Sequence, residues 1–268
     1  MQPFIDAAWL ARHSDDVVVV DVRWYLDGRS GLVAYQSGHI PEAVFINLEN
    51  WLAAEGSTSA GRHPLPSPEH FADAMARHGI GDHSTVVAYD DAGGVIAARL
   101  VWMLRVTGHD AAVLNGGIES YKGDLETVTT KPPAALFGAR AWPMGRLATI
   151  DDAVSGEFVV LDARDAERFR GETEPIDPRA GHIPGARNVA CRENLRADGT
   201  LIDDAELRRR FESAGVLDAT RTISYCGSGV TACHNLLAME QCGLGEARLY
   251  PGSWSQYSHD RSRPVATT

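Results

Sequence analysis

One pattern occurs twice along this chain, and it decides what the chain can fold into. Val17-Val18-Val19-Val20-Asp21-Val22-Arg23 is followed by Gly38-His39-Ile40-Pro41 and then by Val44-Phe45-Ile46-Asn47. Phe158-Val159-Val160-Leu161-Asp162-Ala163-Arg164 is followed by Gly181-His182-Ile183-Pro184-Gly185-Ala186 and then by Asn188-Val189. The offset is 141 residues between the first blocks (17 to 158) and 143 between the second (38 to 181). The order continues: an amphipathic helix pattern at 67–78 matches one at 203–214, and an apolar strand at 85–89 matches 222–225. A helix at 95–106 then matches 230–241, and a last strand at 112–114 matches 247–249. A period near half of 268 residues is too long for a solenoid and reads as a duplicated domain. Within each copy, short apolar runs alternate with helical periods. That pattern predicts βα units, hence an α/β fold in which each copy is a mainly parallel sheet flanked by helices. The reading gives domains at 1–123 and 148–268. Residues 124–147, with Lys131-Pro132-Pro133 and Trp142-Pro143, read as the linker. The tail from Ser262 is expected to be loose.

The net charge of -11 argues against a nucleic-acid or anionic-membrane partner. No apolar run approaches the ~18 residues of a membrane span, and no leader pattern opens the sequence. The four cysteines, Cys191, Cys226, Cys233 and Cys242, form no C-x-x-C pair. That excludes the common zinc and dithiol motifs and fits a protein kept in a reducing cytoplasm.

The two copies differ at one place. In the second, the strand 222–225 runs into Cys226-Gly227-Ser228-Gly229-Val230-Thr231-Ala232, a short loop that opens a helix. Backbone N–H groups at such a junction lack helical partners and point at an anion, and the helix dipole adds to the effect. A thiolate or persulfide anion is favoured there. Gly227 and Gly229 are expected to supply backbone angles that a side chain would forbid. In the first copy the loop reads Asp90-Asp91-Ala92-Gly93-Gly94-Val95. It is one residue longer, lacks a cysteine, and carries two carboxylates that would repel an anion. Only the second copy is therefore expected to hold an active site.

The tandem arrangement, the paired Gly-His-Ile-Pro segments and the Cys226–Ala232 loop resemble the two-domain rhodanese-type sulfurtransferases over nearly the whole chain. The Cys-Gly-Ser-Gly-Val-Thr-Ala sequence is most similar to the 3-mercaptopyruvate-using members. Relatives preferring thiosulfate more often have basic side chains where this chain has Gly227 and Ser228. Basic residues placed there are expected to shift preference toward thiosulfate. The resemblance implies one active site, at Cys226, in the cleft between the domains. Cys226 takes a sulfur atom from a small anionic donor as a persulfide and passes it to a thiol, thioredoxin or cyanide, without metal or organic cofactor. The loop residues Gly227, Gly229, Val230 and Thr231 contact the substrate. A monomer or weak dimer is expected.

The resemblance also assigns roles beyond the loop. Arg168 matches an arginine that binds the substrate carboxylate, and its removal should raise the Michaelis constant. Arg179 matches a second such arginine. Ser228 would work with a histidine and an aspartate from the first domain, for which His39 and Asp27 are the matches. For His39 a structural role competes, because His182 shares its motif. Asp21, Arg23, Asp162 and Arg164 read as scaffold, and Thr231 either bonds the cysteine sulfur or caps the helix. Two other readings remain. A phosphatase of this fold would need an arginine six residues after the cysteine, where Ala232 stands, so the group that stabilises transition-state charge is missing. A persulfide carrier with little small-molecule turnover would use the same loop.

Overall fold

The computed structural model describes all 268 residues, which form two compact units. The first unit comprises Met1–Ala54, Pro66–Trp142 and Leu195–Leu201, and the second Glu55–Leu65, Pro143–Asn194 and Ile202–Thr268. Each unit is thus one sequence repeat plus one short segment taken from the other repeat.

In the first unit the strands are β1 (Phe4–Ile5), β2 (Val17–Asp21), β3 (Val44–Phe45), β4 (Thr85–Tyr89) and β5 (Ala111–Leu114). They pair in the order β1-β5-β4-β2-β3, all parallel. In the second unit β6 (Val159–Asp162), β7 (Arg187–Asn188), β8 (Thr222–Tyr225) and β9 (Arg248–Leu249) pair in the order β7-β6-β8-β9, again all parallel. A lone parallel bridge from Leu147 to Leu249 occupies the place that β1 fills in the first unit. Val86, Val87 and Ala88 on β4 are all fully buried, as a sheet covered on both faces requires.

Helices complete the correspondence. Helix α1 (Pro68–Arg77) is capped by Ser67, whose side chain accepts the His70 N–H, and it buries Phe71 and Met75. Helix α2 (Ala98–Val106) is buried on nearly every side, as a helix laid across a sheet must be. Helix α3 (Asp204–Ser213), capped by Asp203, buries Leu207 and Phe211, and α4 (Ala232–Gln241) repeats the all-round burial of α2. Fully burying a side chain the size of Phe211 contributes about 1.5–3 kcal/mol.

The repeated motif acts as a clip. Arg23 holds Asp21 through Nε (2.9 Å) and Nη2 (2.6 Å) and donates to the Gly38 carbonyl at 2.7 Å. Arg164 does the same with Asp162 (Nη2 at 2.6 Å) and the Gly181 carbonyl (2.7 Å). The histidines that follow are equivalent too. His39 Nδ1 meets the Tyr35 carbonyl at 2.8 Å with its ring stacked on Tyr35, and His182 Nδ1 meets the Phe169 carbonyl at 2.8 Å with its ring stacked on Phe169. The clip ties the end of the first long strand to the start of the next in both units.

Two segments are better anchored than their composition suggests. The stretch read as a linker has no regular strand or α-helix, yet Phe137 packs on Phe71 and His109, and Trp142 donates to the Pro66 carbonyl at 2.8 Å. The C-terminal tail is not loose. Ala266 and His182 exchange backbone hydrogen bonds (2.9 and 3.0 Å), and Val265 packs on the second core.

Candidate active site

The chain leaves β8 at Tyr225, and Cys226 follows at the carboxyl end of a central parallel strand, buried in the second unit. Its Sγ accepts the Gly229 N–H at 3.1 Å. That bond needs the loop to curl back on itself, and Gly229 does so at φ +79, where a Cβ would come 2.7 Å from the Pro251 carbonyl oxygen. Gly227 differs. It is not left-handed; the space for its Cβ is bounded by Arg62 Nη2 at 3.0 Å and by Arg168 Nη1 at 3.6 Å. Helix α4 begins at Ala232, so the positive end of its dipole lies just beyond the loop.

The backbone of Cys226 is fixed from behind. Its N–H donates to Ser253 Oγ (3.2 Å), which itself donates to the Tyr250 carbonyl (2.9 Å), while the Cys226 carbonyl accepts the Trp254 N–H at 3.0 Å. Ser253 does this in a left-handed conformation, φ 53, rare for a side-chain-bearing residue.

Ser228 Oγ lies 2.7 Å from His63 Nδ1, and both residues are buried. The imidazole on Ser228 is therefore that of His63. This corrects the assignment of His39, which is fully buried and engaged with Tyr35. Asp27 is corrected likewise. It is an exposed surface carboxylate that binds the backbone N–H and guanidinium of Arg29, and that contact lowers its pKa. No local motif marks His63. It follows a polar, glycine- and serine-rich stretch, 55–61, outside the repeated pattern, and such a loop is where a functional residue sits without any periodic signal. The turn from Ser57 to Gly61 closes with two backbone bonds (3.0 and 2.8 Å), and Arg62 N–H donates to Ser255 Oγ at 3.0 Å. These contacts seat the dipeptide Arg62-His63 beside the cysteine loop.

Arg168 Nη2 binds Glu174 at 2.6 Å and Asp177 at 3.5 Å, and Arg62 pairs with Asp177 as well. Burial is the largest influence on Asp177 and pushes its pKa up, against the two arginines. Arg179 is elsewhere. Its guanidinium donates to the carbonyls of Ser258, Arg263, Tyr257 and Asp260 at 2.7–2.9 Å, so it ties the C-terminal turn together, and the single N–H left on Nη1 offers no paired fork to a carboxylate. The match of Arg179 to a substrate arginine is corrected on that ground.

Val230 is buried and accepts the Cys233 N–H at 3.1 Å. Thr231 stands at the helix N-cap position without a side-chain cap bond, and burial pushes the Cys191 thiol up to about 12. No cysteine forms a disulfide, and all four are buried. No group of three or more His, Cys, Asp or Glu has metal-binding geometry, and no helix is long and apolar enough to cross a membrane.

In the first unit, Asp90 occupies the position of Cys226. Its carboxylate is fully buried and accepts the N–H groups of Ala92, Gly94, Ile96 and Ala97 at 2.7–2.8 Å. The loop thus keeps its cradle of backbone N–H groups with an internal carboxyl group seated in it.

A rhodanese-like domain model matches residues 6–124 and again 148–260. The chain is 41% identical to a probable 3-mercaptopyruvate sulfurtransferase of Pseudomonas aeruginosa, covering 94% of this chain and 93% of that one. It is 39% identical to a putative thiosulfate sulfurtransferase, SseB, of Mycobacterium tuberculosis, covering 98% and 96%. Among solved structures it is similar to SseA from Escherichia coli, described as a 3-mercaptopyruvate sulfotransferase of the rhodanese fold. The TM-score is 0.82 at 34% identity, covering 95% of this chain and 99% of that one.

Proposed function

The chain belongs to the rhodanese-like sulfurtransferases, and we propose that it moves sulfane sulfur from 3-mercaptopyruvate, through a persulfide on Cys226, to a thiol, thioredoxin or cyanide. The observation that carries this reading is the set of groups gathered on the Cys226 loop. Cys226 Sγ accepts an N–H at 3.1 Å, Ser228 and His63 form a hydroxyl–imidazole pair at 2.7 Å, and the Arg168 guanidinium stands beside Gly227.

In the first half-reaction the Cys226 thiolate attacks the donor sulfur. The S–S bond forms as the donor's C–S bond breaks, and the bonding pair leaves with carbon as the enolate of pyruvate. The sulfur keeps its proton, so the enzyme becomes Cys226–S–SH. The enolate carbon takes a proton from the Ser228 hydroxyl, and His63 resupplies it. Arg168 holds the donor carboxylate. In the second half-reaction a nucleophile attacks the outer sulfur and regenerates the thiolate. We place this work in a reducing cytoplasm, which four cysteines outside any disulfide suit, and with a monomer or weak dimer.

Thiosulfate is the second donor reading. One observation favours it: two guanidiniums already flank Gly227, so a dianion finds cations without basic residues in the loop. Steady-state turnover with 3-mercaptopyruvate and with thiosulfate, in parallel and with cyanide as acceptor, separates the readings. A higher kcat/KM for 3-mercaptopyruvate is expected. A preference for thiosulfate would reverse the assignment, and turnover of neither would leave a persulfide carrier.

A further inference from the structure

We propose that Arg62 is a donor-binding residue, forming with Arg168 a two-guanidinium clamp for the anionic end of the sulfur donor. The inference rests on the sulfurtransferase reading and deepens it, because it names the residues that hold the anionic end of the donor.

Three observations converge. The first is position. Arg62 Nη2 lies 3.0 Å, and Arg168 Nη1 and Nη2 lie 3.6 and 3.8 Å, from the point a Cβ on Gly227 would occupy, one residue beyond Cys226. A donor whose sulfur meets Cys226 Sγ and whose carboxylate is a few bonds away has these two cations within its reach.

The second is the arrangement of charge. Arg62, Arg164 and Arg168 face Asp162, Glu174 and Asp177, three cations against three anions. Their exposures differ. The carboxylates of Glu174 and Asp177 are 3% and 1% exposed, whereas the side chains of Arg62 and Arg168 are 30% and 15% exposed. An anion arriving from solvent therefore meets guanidinium first. Arg164 is sealed against Asp162 and takes no part.

The third is unspent capacity. Arg168 Nε is buried without a hydrogen-bond partner, which leaves a donor to be satisfied. Arg62 gives Nη1 to Asp177 and presents Nη2 toward Gly227. Planar guanidiniums match a carboxylate with paired hydrogen bonds. Asp177 bonds both arginines and so orients them, and the donor carboxylate competes with it for their N–H groups. With Arg179 committed to four backbone carbonyls, Arg62 is the second cation of the clamp. The same dipeptide thus brings one anion-binding group and, in His63, one proton-handling group.

The test uses two alkylating agents that differ in charge. Iodoacetate carries a carboxylate beside its electrophilic carbon, and iodoacetamide is its neutral counterpart. Rates of Cys226 labelling are measured for wild type, Arg62→Gln, Arg62→Lys and Arg179→Gln. The iodoacetate-to-iodoacetamide ratio is expected to fall about 10- to 100-fold in Arg62→Gln, the worth of one charge-assisted hydrogen-bonded pair. It should fall less in Arg62→Lys, which keeps charge without the planar fork, and hold in Arg179→Gln. KM for 3-mercaptopyruvate should rise over the same range with kcat largely kept. An unchanged ratio in both Arg62 variants would overturn the proposal. Equal slowing of both reagents would also overturn it, because that is the signature of a residue that only anchors the segment 55–65. Should the ratio fall in Arg62→Gln while wild type turns over no sulfur donor, the clamp stands and the donor assignment fails.

Discussion

Replacing Gly229 with alanine tests the geometry of the cysteine loop. The residue sits at φ +79, and an added Cβ would be 2.7 Å from the Pro251 carbonyl oxygen. A left-handed conformation costs an L-residue about 1–2 kcal/mol. Overlap with a backbone atom cannot be relieved by a rotamer change, so the loop must shift, at roughly 1–3 kcal/mol more. Gly185, in the same unit, gives the control: it has φ +84 but nothing within 4 Å of its Cβ position. Gly185→Ala should therefore lose only the dihedral cost of about 1–2 kcal/mol, with its sulfur-transfer rate intact. Gly229→Ala should lose about 2–5 kcal/mol in all. Its shift also carries the N–H away from Cys226 Sγ, and misplacement on the order of 1 Å costs roughly 100-fold in rate. Denaturant unfolding and steady-state turnover on both variants measure the two effects. Equal stability losses, with full activity in Gly229→Ala, would refute the reasoning.

Substitutions at Gly227, His63 and His39 test the rest of the site. The sequence comparison suggests that a basic residue at Gly227 favours thiosulfate, but the position faces Arg62 and Arg168, so Gly227→Lys adds a third cation to two. It is expected to lower kcat/KM for both donors, and a gain with thiosulfate would contradict the placement of the guanidiniums. His63→Ala should reduce kcat with 3-mercaptopyruvate by about 100-fold or more, the usual worth of a positioned acid–base group. His39→Gln should lower the melting temperature and leave kcat in place, and the reverse pattern would restore His39 to the relay.

Much of the fold is legible in the sequence because its signals are local. The strand at 85–89 is a nearly continuous apolar run and that at 222–225 a β-rich one, and a sheet covered on both faces buries both. The caps Ser67 and Asp203 mark their helices where the pattern puts them. The tail was hidden because its partner, His182, is distant in the chain and the bond between them is made by backbone alone. Within the site, Cys226 is visible since strand, loop and helix lie in one stretch. Gly227 is legible as a loop glycine, but nothing local shows that it faces two guanidiniums from other segments. Arg62 and His63 reach the loop through a turn more than 160 residues earlier, and no periodicity announces them. His39 misleads through its motif. The structure gives His39 and His182 the same stacking and the same carbonyl partner geometry, so the repeated motif encodes the clip.

The most direct test of the account is the mass of the protein after exposure to 3-mercaptopyruvate without an acceptor. The account predicts a gain of one sulfur atom on the peptide carrying Cys226, an equal amount of pyruvate, loss of the added sulfur on treatment with cyanide, and no gain in Cys226→Ser. Sulfur found on Cys191, Cys233 or Cys242, or retained in Cys226→Ser, would contradict it.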